Sequence, residues 1–545
     1  MADDHVEAFL KINGSLLPQR YSYSRIKKVT NSFQYKLRKG GYHDVYKGKL
    51  LDGCLVAVKL LNETKDSNGE EFINEVASIS RTSHVNIVNL VGYCFEGRKR
   101  ALIYEYMPNG SLEKVIHNNK SQETNDHLEW KTMHKIALGV ARGLEYLHRG
   151  CTTCIFHFDK KPHNILLDED FCPKISDFGL AKLCPKKESI VSMLHARGTI
   201  GYIAPEVFSR HFGRVSHKAD VWKETIDLES CHSHFNGWSN NFVCISDFCF
   251  RKKTSTYKSI FFWRKSTMAD DPMEAFLKIN GSLLPQRYSY SRIKKVTNSF
   301  QDKLGKGGYG DVYKGKLLDG CLVAVKLLNE IKDSNGQEFI NEVTSISRTF
   351  HVNIVSLVGY CFKGCKKALI YEYMPNGSLE KVIHNNKSQE TNDHLEWKKM
   401  HKIALGIARG LEYLHRGCTS CIFHFDIKPH NIHLDEDFCP KIFDFGLAKL
   451  CPEKESIVSM LHARGTIGYI APEVFSRHFG RASQKADVYS YGMLVLQIVW
   501  GRENIGQSVE DTGDLYFPHS IYKKLKCDGD IGLHGIESEE DEKVA

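Results

Sequence analysis

The sequence has no long apolar run and no secretory leader. No stretch approaches the roughly 18 apolar residues that a membrane-spanning helix needs, and the most apolar segments, 261–263 and 493–500, are far shorter. The N-terminus reads Met-Ala-Asp-Asp-His-Val-Glu, without the basic and then apolar regions of a signal peptide. From the sequence alone we therefore expect a cytoplasmic protein with no membrane span.

Clustered basic residues and a disulfide framework are also missing. The formal charge of +9 on 545 residues is a mild excess that is not gathered into one basic run, so we expect no nucleic-acid partner. The seventeen cysteines are odd in number and scattered among apolar segments, which favours reduced thiols. The pairs Cys151/Cys154 and Cys418/Cys421 have zinc-like spacing without a second pair nearby, and we interpret them as structural thiols.

What the sequence does contain is a long internal repeat. The segment from Glu7 to Trp222 recurs from Glu274 to Tyr489 with roughly nine positions in ten identical, and a period this long indicates duplicated domains. The repeat predicts an N-terminal extension (1–20), a first copy (21–222), a linker (223–281) and a second copy (282–545). The sequence does not decide whether the duplication is biological or joins two gene copies.

Each copy predicts the same order of elements. A polar run, strand-like segments with a glycine-rich turn and a β-branched Val-Ala-Val-Lys strand come first. A helix is expected around 72–80 and 339–347, a buried strand at 102–106 and 369–373, and mostly helices afterwards. The prediction is an α+β fold with a small β-rich lobe followed by a larger helical lobe, twice over.

Six ordered motifs in the second copy carry chemistry. They are Gly305-Lys-Gly307-Gly-Tyr-Gly310-Asp-Val312, Lys326 in Val-Ala-Val-Lys, Glu342 on the next helix, His424-Phe-Asp426-Ile-Lys428-Pro-His-Asn431, Asp444-Phe-Gly and Ala471-Pro-Glu473. A glycine-rich loop alone is a weak signal. The ordered series at this spacing has a negligible chance of arising by coincidence.

The chain resembles plant receptor-like serine/threonine protein kinases, most closely the leaf-rust-resistance-locus group. The resemblance is carried by Phe-His-Phe-Asp-Ile-Lys-Pro-His-Asn-Ile and the following Leu-Asp-Glu-Asp-Phe-Cys-Pro-Lys-Ile, and it covers about 15–222 and 282–545. It implies two bilobal kinase folds, ATP with Mg²⁺ (or Mn²⁺) as cofactors and protein substrates with Ser or Thr hydroxyls. It also implies association with membrane receptor kinases and a role in defence or surface signalling.

The resemblance assigns roles in the second copy. The backbone of Gly305, Gly307 and Gly310 would approach the ATP phosphates, since glycine lacks a Cβ. Asp426 would accept the substrate proton and Lys428 would neutralise the γ-phosphate. Asn431 and Asp444 would hold Mg²⁺, a hard ion that prefers oxygen ligands. Lys326, paired with Glu342, would hold the α- and β-phosphates. Tyr371 would be the gatekeeper residue, Met374 would lie in the hinge between the lobes, and His433 would form the floor, the surface beneath the adenine. The remaining nucleotide-binding positions are Val312 and Ala324.

The first copy keeps many of the same residues but departs in its glycine loop. It retains Lys59 and Glu75 for the nucleotide, Asp159 and Lys161 for catalysis, and Asn164 and Asp177 for the metal. Arg38 and His43 replace the first and third glycines, and we expect these side chains to obstruct the phosphates. The kinase pattern also stops after Trp222. We therefore expect this copy to be inactive or poorly folded by itself.

The second copy has departures of its own. His433 replaces an apolar floor residue, so we expect weaker ATP binding and a side chain that charges near neutrality. Phe425 stands where many kinases have Arg, which suggests weak dependence on phosphorylation at Ser456 or Ser459. No closing helices are visible after 500, and Glu473 is expected to lack its Arg partner. Two alternatives stay open: a pseudokinase or scaffold that binds nucleotide or partners without turnover, and a truncated product with no stable fold.

Overall fold

The fold is described from a computed structural model of the 545-residue chain. The described residues are 18–39, 43–61, 69–121, 130–184, 190–192, 214–216, 285–306, 310–329, 336–347, 349–363, 366–388, 397–451, 458–459, 465–475 and 481–500. The chain divides into two compact units, Met1–Thr256 and Tyr257–Ala545. The expected linker, the expected end of the kinase pattern near Trp222 and everything after Trp500 lie outside these residues.

The first unit opens with a six-stranded sheet in the order β1-β5-β6-β4-β3-β2. Short two-stranded ladders follow it. The strands are β1 (Gln19–Arg20), β2 (Lys36–Lys39), β3 (His43–Lys49), β4 (Leu55–Leu61), β5 (Leu90–Glu96), β6 (Lys99–Glu105), β7 (Cys154–Phe156), β8 (Ile165–Leu167), β9 (Pro173–Ile175), β10 (Lys182–Cys184), β11 (Ile190–Ser192) and β12 (Arg214–Ser216). The helices are α1 (Tyr23–Val29), α2 (Glu70–Ile79), α3 (Leu112–Ser121) and α4 (Trp130–Glu145).

The second unit repeats this plan, with sheet order β13-β17-β18-β16-β15-β14. Its strands are β13 (Gln286–Arg287), β14 (Lys303–Lys306), β15 (Gly310–Lys316), β16 (Leu322–Leu328), β17 (Leu357–Lys363), β18 (Lys366–Glu372), β19 (Cys421–Phe423), β20 (Ile432–Leu434), β21 (Pro440–Ile442), β22 (Lys449–Cys451), β23 (Val458–Ser459) and β24 (Arg481–Ala482). Its helices are α5 (Tyr290–Val296), α6 (Gln337–Ile346), α7 (Leu379–Ser388), α8 (Trp397–Glu412), α9 (Pro472–Phe475) and α10 (Gln484–Trp500). Each unit thus has a β-rich lobe followed by a helical lobe, and the predicted fold class is confirmed.

The sheet of the first unit begins earlier than the predicted domain boundary. Gln19 and Arg20, which we assigned to an extension, form β1 and pair in parallel with Gly92 and Tyr93 of β5. The last residues of the segment 1–20 thus contribute a strand to the first sheet. A two-residue strand with no alternating pattern gives no periodic signal, so only the pairing reveals it.

Helix α6 shows how the sequence places a functional carboxylate inside the protein. Phe339, Val343 and Ile346 are buried at four- and three-residue spacing, so they form one face of the helix. Glu342 lies beside Val343 and is also buried, with 1 % of its surface exposed. A glutamate is rarely buried unless it is paired, and this glutamate is paired with Lys326.

Helix α10 buries one of its faces in the protein and leaves another face exposed. Its buried residues recur at helical spacing and are Ala486, Asp487, Ser490, Met493, Leu494, Gln497 and Ile498. Val488 on the same helix is 56 % exposed. The largely apolar sequence from Met493 to Trp500 would by itself favour burial on nearly every face. Among the described residues, the helix instead has a buried stripe of mixed polarity.

In the second unit a small core packs beneath the catalytic loop, which we define as the segment 424–431 that carries the predicted residues Asp426 and Lys428. It contains Phe423, Phe425, Cys451, Ala471, Val474, Ala482 and Ala486. Phe425 is buried and stacks edge-on against Phe423, with ring centroids 5.9 Å apart. The residue that replaces the usual Arg is therefore part of the packing beneath the loop.

Candidate functional site

Lys326 lies at the centre of a buried ion cluster in the second copy. Its strand β16 lies between β15 and β18, and its ammonium Nζ is 2.7 Å from Asp444 Oδ1 and 3.0 Å from Glu342 Oε2. Glu338 Oε1 on the same helix is 4.0 Å away. The sequence predicted the pairing with Glu342, and the structure adds Asp444 and Glu338 to the same group.

Lys326 and Asp444 each stabilise the charged form of the other. Burial alone would lower the pKa of Lys326, but Asp444 and Glu342 outweigh it and hold the pKa above its ordinary value. Burial alone would raise the pKa of Asp444, but Lys326 holds it below its usual range. Lysine and aspartate are therefore both charged at neutral pH. For Glu342 burial dominates, and the pKa of this carboxyl is raised.

Tyr371 reaches the same glutamate from β18. Its hydroxyl donates a hydrogen bond to Glu342 Oε1, while Oε2 accepts from Lys326. Tyr371 is 3 % exposed, and its pKa is raised well above the ordinary value, first by burial and then by the carboxylate of Glu342. The hydroxyl therefore stays protonated as a donor. Sequence reasoning predicted the position of Tyr371 but not this bond.

Three side chains surround Asp426: Lys428 and Asn431 from its own loop, and Thr466 from a segment further along the chain. Lys428 Nζ donates to Asp426 Oδ2 at 2.8 Å, and Asn431 Nδ2 donates to the same oxygen at 2.9 Å. The hydroxyl of Thr466 donates to Asp426 Oδ1 at 2.7 Å and accepts from Lys428 at 2.8 Å. An aliphatic hydroxyl thus lies against both predicted catalytic residues. Thr466 was noted only as part of a run typical of the family, and its contact was not predicted.

Asp487, at the start of α10, fixes the backbone of this loop. Its carboxylate accepts hydrogen bonds from the backbone N–H of His424 (2.8 Å) and of Phe425 (2.7 Å). His415 Nε2 lies 2.8 Å from the same carboxylate. Phe425 has a positive φ of 61°, a conformation that a bulky residue adopts only when its surroundings enforce it. Sequence reasoning missed this role of Asp487, although an acidic residue opening an apolar helix was a visible signal.

The glycine loop is described in part. Gly305 and Gly310 lie on β14 and β15, whereas Gly307 lies outside the described residues. A Cβ on Gly305 would meet nothing within 4 Å, but a Cβ on Gly310 would lie 1.9 Å from the carbonyl oxygen of Leu327. The first glycine position therefore has room for the Arg38 of the first copy. Arg38 and His43 of the first copy both line its cleft, and the obstruction of the phosphates expected from both side chains stays a prediction.

The remaining nucleotide positions line up along the sheet. Val312 pairs with Lys326 across β15 and β16, and Ala324 pairs with Tyr371 across β16 and β18. Met374 follows the end of β18 and is buried. The structure thus brings the predicted adenine-binding residues of the β-rich lobe onto three adjacent strands.

His433 does not behave as the sequence predicted. Burial is the largest effect on this imidazole and lowers its pKa to about 4, so the ring is neutral at neutral pH. The expectation of a charge near neutrality was therefore wrong. The ring stacks on Phe443, with centroids 4.3 Å apart and planes at 28°. Phe443 in turn lies 5.7 Å from the Tyr371 ring, and sequence reasoning had given it no role.

The first copy reproduces the ion cluster. Lys59 Nζ is 2.7 Å from both Glu75 Oε2 and Asp177 Oδ1, and the Tyr104 hydroxyl donates to Glu75 Oε1 at 2.5 Å. Lys161 donates to Asp159 Oδ2 at 2.8 Å. The residues corresponding to Thr466 and Asp487 lie outside the described part of this copy.

A cleft of about 260 Å³ lies beside this cluster in the first copy. Leu166 and Ser176 form part of its lining, at the positions of His433 and Phe443, and segment 105–107 forms another edge. His43 lines the end near Lys59, and its Nδ1 is buried without a hydrogen-bond partner. Burial and the Lys59 charge lower the pKa of His43 to about 3, so this ring is neutral.

The donor set for a metal ion is compatible with Mg²⁺. Asn164 uses its Nδ2 to donate to the backbone oxygen and to Oδ2 of Asp159, which leaves its buried Oδ1 without a hydrogen-bond partner. Asn431 makes the same two bonds to Asp426. In the first copy an amide oxygen is thus left for a ligand, and Asn431 donates through its Nδ2 in the same way. Amide and carboxylate oxygens suit a hard cation.

One cysteine of each Cys-x-x-Cys pair is buried, and its partner, Cys154 or Cys421, is partly exposed. Cys151 and Cys418 are buried, and burial raises the pKa of each thiol well above its ordinary value. Such thiols are poor nucleophiles and poor metal ligands. Among the described residues, no helix is both long enough and apolar enough to span a bilayer.

Comparisons with known proteins agree with this geometry. The family model described as protein kinase domain matches residues 32–228 and 299–526. A PR5-like receptor kinase of Arabidopsis thaliana is 53% identical over 286 residues, which cover 52% of this chain and 41% of that protein. The Arabidopsis thaliana leaf rust 10 disease-resistance locus receptor-like protein kinase-like 2.4 is 52% identical over 270 residues, 49% and 43% of the two chains.

A wheat protein gives the same picture. The rust resistance kinase Lr10 of Triticum aestivum is 52% identical over 271 residues, 50% of this chain and 42% of that protein. This chain therefore spans less than half the length of the curated relatives it matches. Each match covers about half of this chain, and the family model matches it twice, which supports a tandem duplication.

Proposed function

This chain belongs to the protein kinase domain family, and from that premise we propose that its second copy transfers the γ-phosphate of ATP to serine and threonine hydroxyls of proteins. The proposal depends above all on one observation. Asp426 accepts hydrogen bonds from Lys428, Asn431 and the hydroxyl of Thr466 at 2.7–2.9 Å. An aliphatic hydroxyl can evidently lie against this carboxylate, where a substrate hydroxyl must lie for transfer.

In this reaction the protein forms no covalent bond to the transferred phosphoryl group. The substrate oxygen bonds to the γ-phosphorus as the bond to the β–γ bridging oxygen breaks, and the hydroxyl proton passes to Asp426. Lys428 neutralises charge that develops on the transferred group, and Lys326 holds the other phosphates. Mg²⁺ or Mn²⁺, when bound, neutralises phosphate charge. Asn431 and Asp444 would hold that ion through an amide oxygen and a carboxylate.

The cluster around Lys326 prepares this site before the nucleotide binds. Lys326 is held by Glu342 and Asp444, and Glu342 is held by Tyr371. Positioning and charge neutralisation account for most of the rate in phosphoryl transfer. The first copy reproduces this cluster but has His43 at the third glycine position, where it lines the cleft, and for that reason we assign this copy to a non-catalytic role.

A second function has one specific observation in its favour. The stacked rings of His433 and Phe443 occupy positions that line the nucleotide cleft in the first copy. A nucleotide-binding scaffold without turnover would tolerate such a change. We favour the kinase because the residues around Asp426 keep a complete set of contacts, whereas a scaffold has no need of them.

The cellular role is inferred from relatives alone. The matched proteins are named as receptor-like kinases and rust-resistance kinases. We propose that this chain likewise acts in surface or defence signalling, in association with membrane receptor kinases.

Phosphoamino acid analysis tests the proposed specificity. The whole chain is incubated with Mg²⁺ and γ-labelled ATP, with itself and a generic basic protein as substrates, and the products are hydrolysed. Labelled phosphoserine and phosphothreonine are expected. Label confined to phosphotyrosine would reject the proposed specificity, and nucleotide binding without any transfer would favour the scaffold.

A further inference from the structure

Two cysteines lie opposite each other across the short ladder between β19 and β22. Cys421 and Cys451 are direct partners in this antiparallel pair. Opposed residues of an antiparallel pair point to the same face and have Cα atoms about 4.5–5.5 Å apart. A disulfide spans Cα atoms about 4.4–6.8 Å apart. The strand register therefore places these two side chains within reach of a covalent bond.

Packing brings the same two side chains together. Cys451 is buried in the small core beneath the catalytic loop, and Cys421 packs against that core from a partly exposed position. Burial and then the neighbouring Cys451 thiol raise the pKa of Cys421 to about 12. Both residues are free thiols in the structure. Their register and their shared core thus agree on two thiols that lie side by side.

The first copy contains an equivalent pair of cysteines. Cys154 and Cys184 are direct partners in the antiparallel ladder between β7 and β10. Cys184 is buried and Cys154 is partly exposed, and both are free thiols. The duplication therefore supplies two pairs with the same geometry in one chain, and each can serve as a control for the other.

The cysteine that precedes Cys421 in the sequence is placed differently. Cys418 directly follows a short π-helical turn, Tyr413–Gly417, and its thiol is hydrogen-bonded to Tyr413. The β19–β22 ladder begins at Cys421, so Cys418 lies outside it. We therefore expect Cys421 to bond across the ladder and not within its own Cys-x-x-Cys segment.

We propose that Cys421 with Cys451, and Cys154 with Cys184, are redox modification sites that a small-molecule disulfide converts into cross-strand protein disulfides. The Cys421 thiolate attacks one sulfur of the small disulfide and releases its first thiolate. The Cys451 thiolate then attacks the Cys421 sulfur, which forms the protein bond and releases the second thiolate. Two protein thiols are oxidised, one small disulfide is reduced to two thiols, and the two thiol protons pass to the released thiolates.

The bond in the second copy joins the two segments that carry the site. Cys421 precedes Asp426 by five residues, and Cys451 follows Asp444 by seven. A thiol of raised pKa is a poor nucleophile, so exchange proceeds slowly, when the short ladder opens locally. An equilibrium measurement is therefore the appropriate test. The proposal does not depend on whether either copy transfers phosphate.

Equilibration of the whole chain in glutathione buffers of increasing oxidised fraction tests this proposal. Free thiols are alkylated, and linked peptides are identified by mass spectrometry, with Ser420 and Glu453 distinguishing the second copy from the first. We expect one bond between Cys421 and Cys451 and the equivalent bond in the first copy. In urea the preference for these pairs should disappear, because it depends on the folded register.

Two single substitutions complete the test. Cys421→Ser should abolish the bond in the second copy and leave the bond between Cys154 and Cys184 unchanged in the same molecule. Cys418→Ser should leave both bonds in place. A bond between Cys418 and Cys421 would overturn the proposal, as would an equal preference in urea. So would free or glutathione-bound Cys421 and Cys451 in a buffer that modifies the exposed Cys321.

Discussion

The hydroxyl of Tyr371 donates to one carboxylate oxygen of Glu342 while the ammonium of Lys326 donates to the other. Tyr371 and Glu342 are both almost fully buried. A buried carboxylate is costly unless it is both paired and hydrogen-bonded. The tyrosine therefore completes the environment that keeps Glu342 directed at Lys326, and the cleft depends on a residue that never needs to touch a phosphate.

Replacing Tyr371 by Phe should expose this dependence. Loss of the hydroxyl leaves one oxygen of a buried carboxylate without its donor, which typically costs about 1–3 kcal/mol. We expect faster hydrogen exchange in β16 and α6 and a lower kcat. The matched variant is Tyr104→Phe in the first copy, which breaks the equivalent 2.5 Å bond to Glu75. It should loosen its own unit without changing kcat, and equal losses from both variants would contradict the assignment of catalysis to the second copy.

Asp487→Asn should loosen the catalytic loop from beneath. The carboxylate accepts from two backbone N–H groups and lies beside His415, and an amide presents N–H₂ to at least one of these donors. Hydrogen bonds to charged groups contribute about 1.5–3 kcal/mol each, so we expect the free energy of unfolding of this unit to decrease by an amount of that order. Peptides covering 413–431 should exchange faster. Val488→Ala on the exposed side of the same helix should change stability by less than about 0.5 kcal/mol, and a similar effect from both would argue against the anchoring role.

The fold was largely predictable because its signals are local. The β-branched run around Lys326 and the four- and three-residue spacing of Phe339, Val343 and Ile346 identify a strand and a helix without knowledge of their partners. The pairing of Lys326 with Glu342 was implied by the resemblance to receptor-like kinases. What could not be predicted depends on contacts between distant segments: the Thr466 hydroxyl against Asp426, and Asp487 beneath the loop.

The charge of His433 could not be predicted from the residues next to it in the sequence. His433 was identified correctly as an unusual floor residue, but its charge was predicted from its ordinary pKa. That pKa depends on burial against Phe443, ten residues further along the chain. Composition does not report which ring covers another, so neither the stack nor the neutral imidazole was foreseeable.

His433→Leu should improve the use of ATP. The leucine restores the aliphatic floor of the first copy and removes one partner of the ring stack. A small aliphatic group in an apolar pocket is worth roughly tenfold in affinity, so we expect KM for ATP to fall by about that factor while kcat changes little. Leu166→His in the first copy is the matched control and should leave KM unchanged. An unchanged KM in His433→Leu would show that the side chain at position 433 does not affect ATP binding.

The same residue should make the second copy sensitive to mild acid. Its folded pKa of about 4 lies below the ordinary 6.5, so between these values the unfolded chain binds more protons. The stability of this unit should therefore fall as the pH decreases from 6.5 to 4, by up to about 3 kcal/mol. Hydrogen exchange of peptides unique to the second copy measures this effect. His433→Leu should flatten the pH dependence, and an identical slope in both proteins would contradict the burial of a neutral imidazole.

The most direct test of catalysis by the second copy compares two single substitutions in the whole chain. Asp426→Asn and Asp159→Asn change the same residue type in the same local setting, where each carboxylate contacts a lysine and an asparagine. Initial rates of phosphate transfer from Mg-ATP are measured for both. We predict that Asp426→Asn lowers the rate by about 10²-fold or more and that Asp159→Asn leaves it near the wild-type value. Loss of activity in Asp159→Asn with activity retained in Asp426→Asn would contradict the account.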